Sequence, residues 1–178
     1  MLQKWTKLSS EVFHENKWWQ GIHDRFRLPN GKEGDYFYME TFGGVGVVPI
    51  DEHGKIILVR QYRYLFDRVS LSFPGGGVKK GQTPEIAAAV ELAEETNLKA
   101  DKLTKIGFYN PYIGAVKENY YLFLATGLSS NILASDETEE IELVRLSPEE
   151  ISEAIIKGEI WDDQTIANWW LAQNFLKK

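Results

Sequence analysis

Residues 75 to 98 read GGGVKKGQTPEIAAAVELAEETNL, and the fold is decided by how this stretch is read. Gly75, Gly76, Gly77 and Gly81 give a backbone able to turn tightly and to approach a ligand closely. Thr83 is a natural N-cap and Pro84 suits the first helical position. Ala87, Ala88 and Ala89 favour helix, and Asn97 tolerates the left-handed conformation that ends one. The stretch therefore predicts a glycine loop feeding a helix over residues 84 to 96. On that helix Glu91, Glu94 and Glu95 stand at i, i+3 and i+4, which gathers three carboxylates on one face. Ile86, Val90 and Ala93 are expected to form the opposite, apolar face. Three like charges repel one another, and a hard divalent cation such as Mg2+ or Mn2+, shared with substrate phosphates, gives a reason to assemble them. The plainer alternative is a solvated acidic stripe on a surface helix. The glycine loop immediately before the helix favours a metal site for phosphate chemistry.

The rest of the chain reads as alternating strands and helices. Gly44 to Ile50 and Lys55 to Tyr62 are predicted strands joined by the turn DEHG, and Val69 to Phe73 is a short strand entering the glycine loop. Further strands are expected near 102–109, 118–126 and 140–146. Ser147-Pro148-Glu149 opens a helix to about Lys157, and Asp163 to Leu176 is a last amphipathic helix. Residues 9 to 42 hold short aromatic and apolar segments around an Asn30-Gly31 hairpin signal. This pattern gives an α+β chain or an α/β/α sandwich.

Composition narrows the class. A chain of 178 residues, 43% hydrophobic, can build one domain with a sizeable core and a small appendage. No apolar run nears the ~18 residues that a membrane span needs. The start, MLQKWTKLSSEVF, lacks the apolar centre of a signal peptide. With no cysteine there is no disulfide, zinc thiolate or cysteine nucleophile, which fits a cytoplasmic setting. A net charge of -6 argues against general nucleic-acid binding.

The stretch resembles the box of the Nudix hydrolases, G-x5-E-x7-R-E-U-x-E-E-x-G-U with U a bulky apolar residue. Gly76, Glu91, Leu92, Glu94, Glu95 and Leu98 match it, whereas Gln82, Val90 and Asn97 depart. The matching positions are those of the metal-binding part. The departures remove a supporting glutamate and arginine together, which is milder than stranding one buried charge. The resemblance implies the Nudix α/β/α sandwich, with residues 1 to 42 as an N-terminal β-rich appendage and 43 to 178 as the hydrolase domain.

It extends to FRLPNGKEGDYFYMETFGGVGVVPIDEHGKIILVRQYRY, residues 26 to 64, and to GEIWDDQTIANWWLA near the end, both similar to ADP-ribose or nucleotide-sugar pyrophosphatases. It implies Mg2+ (or Mn2+) held by the Gly75 carbonyl, Glu91 and Glu95 with Glu94 assisting. Arg63 would hold the diphosphate, and a forked guanidinium suits that task. Arg60 and Glu118 are further candidates for substrate contact. Trp18 and Trp19 fall where relatives stack a nucleobase, core or dimer packing being the alternative. The general base would come from the loop SDETEE, residues 135 to 140, at Glu137 or Glu139. Relatives carry basic residues shortly after the Asn-Gly turn, whereas here Asp35, Tyr36, Phe37 and Tyr38 follow it, so nucleotide sugars other than ADP-ribose stay open. The appendage implies a homodimer. Two alternatives stand beside this reading: a Nudix hydrolase of nucleoside triphosphates or dinucleotides, and a catalytically weak nucleotide sensor. His14, His23 and His53 stand in no ligand spacing and read as surface or packing residues. Trp169 and Trp170 read as core and flank of the last helix.

Overall fold

The computed structural model describes residues 3–131 and 140–176. Strands β1 (Thr6–Glu15), β2 (Trp19–Arg27) and β3 (Glu33–Thr41) form an antiparallel meander. Its second turn is set by Asn30-Gly31, where Gly31 takes φ 87° and donates to Leu28 O. Next come β4 (Gly44–Pro49), β5 (Ile56–Arg63), β6 (Arg68–Ser72) and β7 (Gly75–Gly77). Helix α1 (Pro84–Thr96) follows, then β8 (Leu98–Tyr109), β9 (Val116–Lys117), β10 (Tyr120–Ser130) and β11 (Ile141–Leu146). Helices α2 (Pro148–Lys157) and α3 (Asp163–Leu176) complete the described chain. No helix among the described residues is long and apolar enough to cross a membrane.

The strands make three sheets, ordered β1-β2-β3-β9, β7-β4-β10-β8 and β11-β5-β6. The middle sheet is mixed: β4 and β10 run parallel, and their outer neighbours run antiparallel. Strand alternation gives β4 and β10 two apolar faces, as expected of strands buried on both sides. Val45, Val47, Phe123 and Ala125 pack against Ala87, Ala88 and Leu92 of α1. Val48 and Leu122 face the other way, onto Ile56, Leu58 and Leu71 and onto Ile151, Ala154, Trp169 and Ala172 of the last two helices. The middle sheet therefore lies between α1 and a layer built from β5, β6, α2 and α3, the expected α/β/α sandwich.

Local chemistry explains the helix ends. Thr83 accepts from Ile86 N–H, Pro84 opens α1, and Asn97 ends it at φ 56°, ψ 31°. Ser147 and Glu150 form a reciprocal capping box at α2.

Two expectations are corrected. Gly75 to Gly77 is a strand rather than a loop, paired with β4 so that Gly44, Val45 and Gly46 face Gly77, Gly76 and Gly75. A Cβ on Gly75 would collide with Val45 O. The close approach that glycine permits here is therefore to another strand. The second correction concerns the faces of α1. Ile86 is exposed and Val90 only half-buried, whereas Ala87, Ala88, Leu92, Ala93 and Thr96 are buried. Ile86 stands opposite Glu95, Val90 lies on the same side as Glu94, and the core is on the flank of Glu91 and Glu95, because α1 needs small alanines to lie flat on β4.

Candidate active site

A cavity of about 470 Å³ opens where β5, β6 and β7 meet the start of α3. Its parts fall in chain order along β6. At one end stands the glycine strand, Gly75 to Gly77. Helix α1 packs against this strand and brings two carboxylates to it. Glu95 Oε2 accepts the Gly75 N–H at 3.0 Å. Glu91 lies beneath Gly76 so closely that a Cβ there would sit 2.6 Å from its Oε2. Glu91 and Glu95 are half-buried, but Glu94 is exposed. The i, i+4 pair faces the strand, and Glu94, about 100° round the helix from Glu95, turns to solvent.

In the middle of the cavity is Arg63. Its Nε donates to Ser70 Oγ at 3.1 Å and its Nη2 to Ser72 Oγ at 3.2 Å. Cross-strand register puts Ser70 and Ser72 of β6 on the face of β5 that carries Arg63. Both serines are buried. Among the described residues Arg63 has hydroxyl partners and no carboxylate partner. A fixed positive charge aimed into a cavity without a counter-charge is ready for an anion.

Glu118 also lines the cavity, accepting from Thr41 Oγ1 at 2.8 Å. Behind it lies a buried polar network that the sequence did not announce. Tyr109 donates to Asn168 Oδ1 at 3.0 Å, and a Cβ on Gly46 would meet both the Asn168 amide nitrogen and the Tyr120 hydroxyl. Burial pushes both phenols well above their ordinary range, so each stays protonated. Asn168 interrupts the apolar run IANWWLA, and a lone amide on a buried helix face was the signal that could have found it. Asp162 caps α3 through Oδ1, accepting Thr165 N–H at 2.7 Å. Its Oδ2 is buried without a hydrogen-bond partner among the described residues. Ser70, Ser72, Phe66 and Trp161 are further lining residues not foreseen from sequence.

Other expected site residues lie elsewhere. Arg60 is three residues from Arg63, so period-two alternation turns it to the opposite face of β5. There its Nη1 pairs with both oxygens of Glu142 at 2.9 Å, outside the cavity. Trp18 is 65% exposed, with Lys17 Nζ 4.2 Å above its ring. Trp19 is half-buried against His14. Neither tryptophan lines the cavity of its own chain. Glu137 and Glu139 lie outside the described residues. Gln82, in place of the box glutamate, accepts Lys79 N–H at 3.0 Å and so closes the turn before α1.

The donor chemistry suits a hard divalent cation. Glu91 and Glu95 offer carboxylate oxygens beside a strand whose Gly76 leaves no room for a side chain. Among the described residues no three His, Asp or Glu side chains converge on one point. A cation here would be completed by backbone, water and substrate phosphate oxygens, the habit of Mg2+.

Comparison with known proteins agrees with this geometry. Residues 40–169 match the NUDIX domain, and residues 5–39 match the nucleoside diphosphate sugar hydrolase N-terminal domain. The chain is 35% identical over 140 residues to an ADP-ribose pyrophosphatase of Bacillus subtilis, covering 78% of this chain and 76% of that one. It is 30% identical over 145 residues to a methanol dehydrogenase activator of Bacillus methanolicus, covering 80% and 78%. A solved structure described as an ADP compounds hydrolase superposes with a TM-score of 0.88 at 24% identity, over 99% of this chain and 96% of that one, which shows the shared fold. With its glutamate helix packed on a glycine strand and a family match across most of its length, the chain belongs to the Nudix family and is a Nudix hydrolase carrying the N-terminal domain of the nucleoside diphosphate sugar hydrolases.

Proposed function

We propose that the protein hydrolyses the diphosphate of a nucleoside diphosphate sugar, ADP-ribose or a similar compound, to a nucleoside monophosphate and a sugar phosphate. The observation that carries this reading is a cavity that joins Arg63, poised on two buried serines, to the glycine strand gripped by Glu95. Relatives named ADP-ribose pyrophosphatase and the matched N-terminal domain support it.

In this reading Arg63 holds the diphosphate, its unused N–H groups turned to the phosphate oxygens. Glu91 and Glu95 hold Mg2+ or Mn2+ with the Gly75 carbonyl, and Glu94 supports them from the solvent side. The cation supplies positive charge to the diphosphate oxygens and stabilises the charge that develops on them. Water attacks one phosphorus, the bridging P–O bond breaks, and a carboxylate takes the water's proton. Glu137 or Glu139 is assigned that proton transfer. Glu118 contacts substrate from the opposite wall.

The proposal includes a division between an appendage, residues 1 to 42, and the hydrolase body, residues 43 to 178. It also includes a homodimer formed through that appendage, in a cytoplasmic setting. Phe13, Trp18 and Phe37 are each more than half exposed on or beside the appendage sheet, and exposed apolar surface of this kind supports a protein contact there. The test is a product-resolved screen of ADP-ribose, ADP-, UDP- and GDP-sugars, nucleoside triphosphates and dinucleoside polyphosphates with Mg2+ or Mn2+. A nucleoside monophosphate with a sugar phosphate is the expected product pair. Turnover confined to triphosphates or dinucleotides, or binding with no turnover, overturns the reading.

A further inference from the structure

Asn168 is a polar side chain at 1% exposure on α3, where an apolar residue would be buried at lower cost. Its orientation is set from one side. The Tyr109 hydroxyl lies 3.0 Å from Asn168 Oδ1, with Gln164 O as a second acceptor at 3.3 Å. With Oδ1 turned to Tyr109, the amide nitrogen is turned to β4. A Cβ on Gly46 would stand 2.6 Å from Asn168 Nδ2 and 2.7 Å from the Tyr120 hydroxyl, so both groups rest against bare backbone. The Tyr120 ring runs back along β4 to Gly44, where a Cβ would meet its Cδ2 at 2.7 Å. Glycine at 44 and 46 thus lets an amide of α3 and a phenol of β10 touch the strand itself.

Gly46 is the cross-strand partner of Gly75. A Cβ on Gly75 would be 3.0 Å from Gly46 Cα, and Val47 N–H donates to Pro74 O at 2.8 Å, so the two strands are closely joined here. The Gly75 N–H is held in turn by Glu95 Oε2 at 3.0 Å. The glycine pair is therefore gripped from both layers of the sandwich, by a carboxylate of α1 and by an amide of α3. Packing this close passes a shift at Gly46 on to Gly75. An apolar residue at 168 could fill the space, but it could not take the bond from Tyr109 that sets the amide's orientation.

We propose that Asn168 is a positioning residue for the cation site: held by Tyr109, it fixes Gly46 and, through Gly46, the place of the Gly75 carbonyl and of the Glu95 carboxylate bonded to Gly75. This rests on the reading that Gly75 and Glu95 hold a divalent ion. It extends the site to Tyr109, which stands behind Asn168 and, unlike Asn168 and Tyr120, does not line the cavity.

The test measures Mn2+ binding to the protein from the spin-resonance signal of free Mn2+, ADP binding by calorimetry in chelator, and kcat and KM for the best nucleotide sugar with Mg2+. It uses the wild type, Tyr109→Phe, Asn168→Ser and Glu95→Gln. Tyr109→Phe removes one hydroxyl from outside the cavity, so its effect on the site must travel through Asn168. Loss of one hydrogen bond corresponds to about 2- to 10-fold in an equilibrium. We expect Tyr109→Phe to weaken Mn2+ binding and lower kcat by that factor and Asn168→Ser by more, with ADP affinity in chelator and KM unchanged. A role in the fold alone would lower Tm and leave the Mn2+ affinity of the folded protein as it was; that result in Tyr109→Phe overturns the proposal. So does ADP binding weakened as much as Mn2+ binding in Asn168→Ser, the mark of direct substrate contact. Tyr109→Phe keeps the test open should Asn168→Ser fail to fold. A wild type that binds no Mn2+, or wild-type Mn2+ affinity in Glu95→Gln, would instead sink the reading of the cation site beneath it.

Discussion

Three adjacent glycines should respond to alanine in three different ways. None of Gly75, Gly76 and Gly77 takes a positive φ, so the new methyl group acts through what it touches. At Gly75 it meets the Val45 carbonyl, and Gly46 Cα at 3.0 Å. Both belong to β4, and relief requires prising β7 from its partner strand. Overpacking of this kind costs about 1–3 kcal/mol, or about 2–12 °C in Tm for a chain of this size. At Gly76 the methyl meets the Glu91 carboxylate at 2.6, 2.7 and 2.8 Å. A carboxylate ends a flexible side chain, so it should retreat by about 0.8 Å to reach ordinary contact at 3.4 Å. Stability should then change by less than ~1 kcal/mol. A displacement approaching 1 Å at a reacting centre costs roughly 100-fold in rate. At Gly77 nothing lies within 4 Å of the methyl position, and the lower entropy of the unfolded chain should leave Tm equal or raised by a few degrees. The assay is thermal unfolding of the three variants beside kcat on the best substrate of the screen. The reasoning fails if Gly76→Ala turns over like the wild type, or if it loses as much Tm as Gly75→Ala.

Glu91→Gln and Glu95→Gln should each lower turnover by at least about 100-fold with Tm little changed, because an amide keeps the shape and the Gly75 acceptor but loses the charge. A folded variant with near-normal turnover would remove that residue from the site. Glu150 is held down to about 2 by the Ser147 N–H first and then by Lys55. Its folded value is depressed, so its contribution is present above the ordinary 4.5 and lost as pH falls toward 2. The Tm advantage of wild type over Glu150→Gln should therefore be flat at neutral pH and shrink between those values; an advantage independent of pH would refute this. His23 lies between Glu11 and Asp35 at 2.7 and 2.8 Å, and two carboxylate acceptors require both ring nitrogens to donate. These bonds, the one to Glu11 foremost, raise its pKa above 6.5, so its contribution is full below 6.5 and is lost as pH rises through the folded value. Imidazole NMR should show His23 titrating above 6.5, and a midpoint below that would break the assignment.

Local rules were legible because local physics wrote them. Thr83, Pro84 and Asn97 bracket α1, and Ser147 and Glu150 open α2, each through contacts within a few residues. Strands β4 and β5 and helix α3 follow from periodicity and turn chemistry in the same way. The glutamates could be named because i, i+4 spacing places side chains without knowing what they face. Arg60 shows where this stops. RQYR carries two arginines, and only pairing with β6 and β11 decides that Arg63 meets two serines and Arg60 meets Glu142.

The sequence by itself determined which residues form α1 and that its acid pair shares one side. Only the tertiary structure decided what those features face. Gly75 is occluded by β4, over 25 residues earlier in the chain, and the core side of α1 is the side that also carries Glu91 and Glu95. The cavity gathers Arg63, Ser70, Glu118, Trp161 and Asn168 from β5, β6, the approach to β10 and the start of α3. Helical and strand periodicity act over a few residues, whereas the walls of a cavity come from segments brought together by burying a common core, and no local pattern records which segments will meet.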